Sequence, residues 1–168
     1  MPKVQRFFLE LKKDKRPNES VISEKNVKIL LNTEKDININ KFFYRQIGKD
    51  HFWRDRLLWT DNEWSRYINN KSLEIGIMKI DGELIGFYEQ EFHETKNEIE
   101  LIQMGILKEY QGKKFGSFLL KYIINKAFAR KVNRVWVHTC TLDHKHALNN
   151  YLSKGFSVFK EEEINFTL

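Results

Sequence analysis

The chain has 168 residues, 41% hydrophobic and 14% aromatic, with 29 Lys plus Arg, 23 Asp plus Glu and a single cysteine. That composition suits one folded globular domain and excludes a disordered chain or a disulfide-stapled scaffold; no apolar run reaches membrane-spanning length, and the N-terminus lacks an apolar signal core. The net charge of +6 favours anionic partners, a nucleotide cofactor or nucleic acid among them, and the lone Cys140 suits a reducing cytoplasm.

Taken in order, residues 4–11 have strand-like content, while residues 12–25, polar and holding Pro17, read as a loop or loosely attached arm. Residues 26–31 begin with apolar–polar alternation and predict a short edge strand. Residues 39–47 set Phe42, Phe43 and Ile47 on one helical face that stops near Gly48. Residues 51–59 concentrate aromatics and arginines, and Thr60-x-x-Glu63 is a capping box opening a helix through Tyr67. Residues 73–80 and 84–92 form a hairpin about Asp81-Gly82, a favoured two-residue turn, and residues 97–107 pair next. From Phe115 to Arg130 apolar residues recur at helical spacing; residues 132–140 are again β-rich, so this helix is a crossover between parallel strands. Asp143 precedes a further helix with Ala147, Leu148, Tyr151 and Leu152 on one face and Gly155 as a left-handed cap. Residues 156–159 and 164–168 finish as two strands bracketing Glu161–Glu163.

Between the strand ending at Leu107 and the helix from Phe115 lies Glu109-Tyr-Gln-Gly-Lys-Lys-Phe-Gly-Ser117. A Gly-bearing turn there points backbone N–H groups outward at the helix's positive end, a geometry that binds phosphate or pyrophosphate. Lys113 and Lys114 add charge. Gln111-x-x-x-x-Gly116 resembles the pyrophosphate loop of the GNAT superfamily of acyl-CoA-dependent N-acetyltransferases. Ala147-Leu-Asn-Asn-Tyr151 with Gly155-Phe156 resembles its second motif. The resemblance covers roughly residues 72–160 and departs at Lys114, which stands at the family's first loop glycine. Either φ stays negative there, or Lys114 tolerates local strain while its ammonium helps hold phosphate.

The resemblance implies an α/β fold: a mixed, mostly antiparallel central sheet flanked by helices, its strands splayed at a cofactor cleft. It implies acetyl-CoA as co-substrate, no metal, and direct transfer to a primary amine in a ternary complex. The implied cofactor contacts are Met104, Gly105, Ile106, Gln111, Gly112, Lys113, Lys114, Gly116 and Ser117, with His144 where many relatives have an asparagine. The Met104 N–H is the expected donor to the thioester oxygen, and Tyr151 matches the tyrosine that protonates the sulfur. Glu100, eleven positions before Gln111, is the leading general base, with Glu98 and His138 as alternatives.

The region around residues 51–67 would wall the acceptor pocket, giving Trp53, Arg54, Arg56 and Trp59 to the substrate. The competing reading is that the tryptophans pack helix on sheet and the arginines are solvated. Glu89, Glu91, Glu98 and Glu100 suit a cationic acceptor such as a polyamine, a small amine, or a protein lysine or N-terminus. Cys140, His144 and His146 make a poor metal set, because residues two apart on a helix point to different sides. A catalytically idle acyl-CoA-binding module on the same fold is the second expectation. A nucleic-acid-binding domain would need basic and aromatic residues on one face, and only residues 41–59 hint at that. The acceptor, the acyl length and the oligomeric state, monomer or homodimer, stay open.

Overall fold

The computed structural model describes residues 3–17 and 26–167, so most of the arm expected at 12–25 lies outside the described residues. Seven strands form one sheet: β1 (Lys3–Lys12), β2 (Val27–Leu31), β3 (Leu73–Ile80), β4 (Glu83–His93), β5 (Glu98–Ile106), β6 (Arg134–Cys140) and β7 (Ser157–Asn165). Their spatial order is β2-β3-β4-β5-β6-β1-β7, antiparallel throughout except for β5 and β6. The helices are α1 (Ile37–Gly48), α2 (Asp61–Ile68), α3 (Phe115–Ala129) and α4 (Ala147–Ser153). No helix among the described residues is long and apolar enough to cross a membrane.

Side-chain alternation along the strands divides the core into two layers. Ile99, Leu101, Val135 and Val137 turn to one face and pack under α3 and α4 with Leu119, Leu120, Ile123 and Tyr151. Phe87 and Ile77 turn to the other, where Phe43 and Ile47 of α1 cover them and Ile68 of α2 seals Leu73 and Ile75. Local chemistry sets the element ends. Asp36 caps α1 by accepting from the Asn38 N–H, which starts that helix before the apolar stripe begins. The Thr60–Glu63 capping box forms in both directions. Asp81 and Gly82 both take positive φ, as the tight hairpin turn requires.

The sheet departs from the sequence expectation in two places. β1 inserts between β6 and β7, pairing antiparallel with both. β7 is one continuous strand, not two strands around an acidic break. Two of its three glutamates are matched by β1 cations: Arg6 Nη1 lies 3.1 Å from Glu162 and Lys3 Nζ 3.2 Å from Glu163. Opposite charge across the ladder carries a strand through a stretch that looks too polar for one.

The feature that positions the site is the parting of β5 from β6. Their ladder runs from Glu98–Arg134 to Leu101–Val137 and stops, although the strands continue to Ile106 and Cys140. At the same point the β4–β5 register jumps from Glu89–Gln103 to Gln90–Leu101, leaving Ile102 as an extra residue. A bulge bends the strand that carries it and raises its twist, so β5 swings away from β6 beyond Leu101. β1 holds the far side of the gap, pairing Phe8 with His138 and Arg6 with Cys140.

Candidate active site

The gap exposes main-chain groups of β5. The Leu107 N–H donates to Ile85 O of the β4 side at 2.8 Å. Strand alternation therefore turns the N–H and C=O of Met104 and Ile106 the other way, into the gap. The Ile106 carbonyl accepts from Gln111 Nε2 at 3.1 Å, which ties the following loop to the strand's end. Gly105 also leaves room for α1: a Cβ there would lie 2.9 Å from Ile47.

The loop ends with Lys114 as the N-cap of α3 at φ 65°, ψ 13°, with no side-chain cap. Of the two conformations open to Lys114, the left-handed one is adopted. The first bond of the helix is from the Phe118 N–H to Lys114 O at 3.1 Å. The six amides from Gly112 to Ser117 have no acceptor among the described residues. Free donors at the positive end of a 15-residue helix, with Lys113 and Lys114 exposed beside them, make an anion cradle.

Across the gap, Tyr151 of α4 is buried edge-on to Phe156, with ring centres 5.7 Å apart. Burial first and the Asp143 charge second push its phenol pKa up, so it stays protonated. Asp143 also accepts from Thr139 Oγ1 at 2.6 Å and the Cys140 N–H at 3.0 Å, fixing the turn into α4. His144 and His146 precede α4 rather than lying on it, so the helical argument against a metal there fails; their rings are 5.4 Å apart. His51 comes within 6.0 Å of His144, whose pKa is lowered by burial first and by the neighbouring His51 and His146 next.

The candidate bases are not equivalent. Glu98 meets Arg134 Nε at 2.7 Å and Nη2 at 3.2 Å, and these hydrogen bonds hold its carboxyl below the usual carboxylate range. Such a group is a poor proton acceptor. Glu100 lies 3.0 Å from His93 Nε2, on the closed part of the β5–β6 ladder opposite Trp136. His138 stands on the gap-side end of β6 against Phe8; burial of its ring first and the Arg6 charge second lower its pKa. Among the described residues, metal-ligand spacing is met by Glu91, His93 and Glu100, whose ligand atoms lie within 4.8 Å of one another, and not by Cys140 with the two loop histidines.

The substrate-side residues come together in space as a buried network. Glu89 accepts from Asn40 Nδ2 at 2.9 Å, Arg56 Nη1 at 3.0 Å and the Tyr67 hydroxyl at 2.7 Å. Arg56 Nη2 donates to the same hydroxyl at 3.0 Å, and its guanidinium lies 4.2 Å from the Tyr67 ring centre and 5.0 Å from that of Trp59. The Tyr44 hydroxyl accepts the Arg56 N–H, and Asn32 supports Asn40. Burial opposes the guanidinium's charge, but Glu89 outweighs it and keeps the Arg56 pKa raised. Trp53 packs over Gly48 and beside Tyr44 and Phe87. Arg54 reaches the Thr167 carbonyl and covers the Phe166 ring. Asn40, Tyr44 and Tyr67 were missed in sequence. Asn40 had a signal: it shares the apolar stripe of Phe43 and Ile47, and a polar residue buried on such a stripe needs a partner.

Comparison with known proteins agrees with this arrangement. The acetyltransferase (GNAT) family model matches residues 37–156. No curated protein matches the chain. Among solved structures, a GCN5-related N-acetyltransferase from Sphaerobacter thermophilus superposes with a TM-score of 0.70 at 12% identity, covering 96% of this chain and 50% of that one. An aminoglycoside acetyltransferase from an uncultured soil metagenomic sample gives 0.67 at 13% identity, covering 86% and 97%. A functionally unknown conserved protein from Staphylococcus epidermidis ATCC 12228 gives 0.65 at 16% identity, covering 96% and 60%. The chain thus spans only 50–60% of the Sphaerobacter and Staphylococcus proteins.

Proposed function

Because the chain belongs to the acetyltransferase (GNAT) family, we propose that it moves an acetyl group from acetyl-CoA directly onto a primary amine. The observation that carries this reading is the run of six unpaired amides from Gly112 to Ser117 at the mouth of a gap between β5 and β6. The amides take the pyrophosphate, with Lys113 and Lys114 adding charge and Gln111 fixing the loop. The gap-facing groups of Met104 and Ile106 pair with the pantetheine arm as an added strand would, alongside Gly105. His144 and Ser117 border the same cofactor path.

In the transfer, the neutral amine attacks the thioester carbon, the carbonyl oxygen draws on the Met104 N–H, and the carbon–sulfur bond breaks. Tyr151 gives its proton to the departing thiolate, a role its raised pKa suits only with the sulfur alongside. Glu100 takes the ammonium proton. It sits four residues before Met104, roughly 13 Å along the strand, so water relays the proton. Glu98, forked to Arg134, is left out of this scheme, and Glu89 with Arg56, Trp53 and Trp59 braces the acceptor wall.

The acceptor is cationic. Glu91 and Glu100, opposed across β4 and β5, offer charge to an ammonium, and one protein of similar fold is by name an aminoglycoside acetyltransferase. The single continuous sheet supports reading the chain as one domain. Thiol release from acetyl-CoA over spermidine, tyramine, sisomicin and an alanine-terminated peptide, run beside calorimetric titration of acetyl-CoA, tests the proposal. Turnover with at least one amine is expected. Binding with no turnover would favour the idle module.

A further inference from the structure

β5 carries an unmet polar group at the start of the gap. The Gln103 side-chain oxygen is buried and has no hydrogen-bond partner among the described residues. Gln103 stands opposite Glu89, and Gly105 opposite Phe87. Phe87 stacks on Phe43 of α1 at 5.0 Å, and Ile47 of α1 lies over Gly105. Directly opposed residues share a sheet face, so the Gln103 carboxamide lies on the α1 side, where the acceptor would enter. Glu89, its partner across the ladder, is itself an acceptor, and it engages Asn40, Arg56 and Tyr67. A buried amide oxygen left unpaired costs about 1–3 kcal/mol, a cost that a donor supplied by a ligand would remove.

We propose that the Gln103 carboxamide receives an N–H of the acceptor amine and turns the amine's lone pair onto the thioester carbon. The inference rests on the acyltransferase reading and adds a substrate-touching residue to it. Its geometry follows from the neighbouring residue. Met104, one Cα step of about 3.8 Å away, sends its N–H into the gap toward the thioester oxygen. An attacking nitrogen must come within about 3–3.5 Å of the carbon bearing that oxygen, which is within reach of a glutamine side chain one residue back. The chemistry favours an amide over a carboxylate here. A carboxylate in contact would stabilise the ammonium and hold the amine in its unreactive form, whereas a neutral carbonyl oxygen orients the free amine. It also fits that the charge of the adjacent Glu89 is neutralised by Arg56.

The test uses Gln103→Leu and Gln103→Glu with whichever of spermidine, tyramine, sisomicin or the alanine-terminated peptide the wild type turns over fastest. For Gln103→Leu, kcat/KM for the amine falls tenfold or more, the Kd for acetyl-CoA stays within twofold, and Tm holds or rises because an unpaired polar atom is gone. For Gln103→Glu, the acidic limb of the kcat profile moves to higher pH, since the carboxylate favours the ammonium in the bound complex. An active wild type with Gln103→Leu within threefold of it overturns the proposal and leaves the acyltransferase reading standing. So does a Gln103→Leu variant that loses acetyl-CoA affinity or Tm in step with activity, which would mark a structural role. A wild type that binds no acetyl-CoA, or acetylates none of the four amines, overturns both.

Discussion

The wall built by α1 and α2 and the gap between β5 and β6 lie on neighbouring strands, yet they handle polar groups in opposite ways. In the wall, the buried Glu89, Arg56 and Asn40 and the half-buried Tyr67 satisfy one another. In the gap and its loop, six consecutive amides and the Gln103 oxygen have no partner among the described residues. A fold gains nothing from unpaired donors and acceptors, so a chain that closes one network completely and leaves the next open separates rigidity from binding. The wall holds α1 and α2 in place; on the function proposed above, the gap is where a ligand would complete the hydrogen bonding.

The comparison breaks most sharply at Glu89. Glu89→Ala strands the Arg56 guanidinium in the interior and is expected to cost about 3–5 kcal/mol in urea unfolding. Full stability with lost activity would instead make Glu89 a substrate ligand. Tyr151→Phe touches the gap rather than the wall: kcat is expected to fall about 10²-fold with acetyl-CoA affinity unchanged. Glu98→Gln removes the fork to Arg134 and should cost about 1 kcal/mol at pH 7, since both groups are partly reached by water. The Glu98 pKa is lowered in the fold, so its contribution is full above the ordinary carboxylate pKa and is lost as pH falls through the lowered value. Wild type and variant should therefore converge in stability on acidification below pH of about 4. The smallest effect is at the loop. Lys114→Gly relieves a left-handed side-chain residue at φ 65° and should raise stability by about 0.5–1 kcal/mol. The same change removes a cation and should weaken acetyl-CoA binding a few-fold, read by calorimetry.

How much of this was legible in the sequence follows the range of the interactions. The Asp81-Gly82 turn, the Thr60–Glu63 box, the Gly155 cap and the strand–turn–helix around Gly112 are fixed within a few residues, and each is where the sequence put it. The place of β1 between β6 and β7 rests on partners more than a hundred residues away, which no local pattern encodes. β7 looked broken because its glutamates read as a turn until Lys3 and Arg6 were set against them. Among the site residues, the tyrosine and the loop came from motifs. That Glu89 and Arg56 would pair with each other, and not face outward, required three separated segments to converge on β4.

The central claim is that main-chain amides at the start of α3 and in the open part of β5 receive acetyl-CoA. Titrating acetyl-CoA into nitrogen-15-labelled protein while following the amide resonances tests it most directly. Saturable shifts largest at Gly112, Gly116, Ser117 and Met104, with the Glu89 and Arg56 amides little moved, are what the account predicts. Resonances at those four residues that stay unmoved at millimolar acetyl-CoA, or that move less than those of the α1–α2 wall, would contradict it.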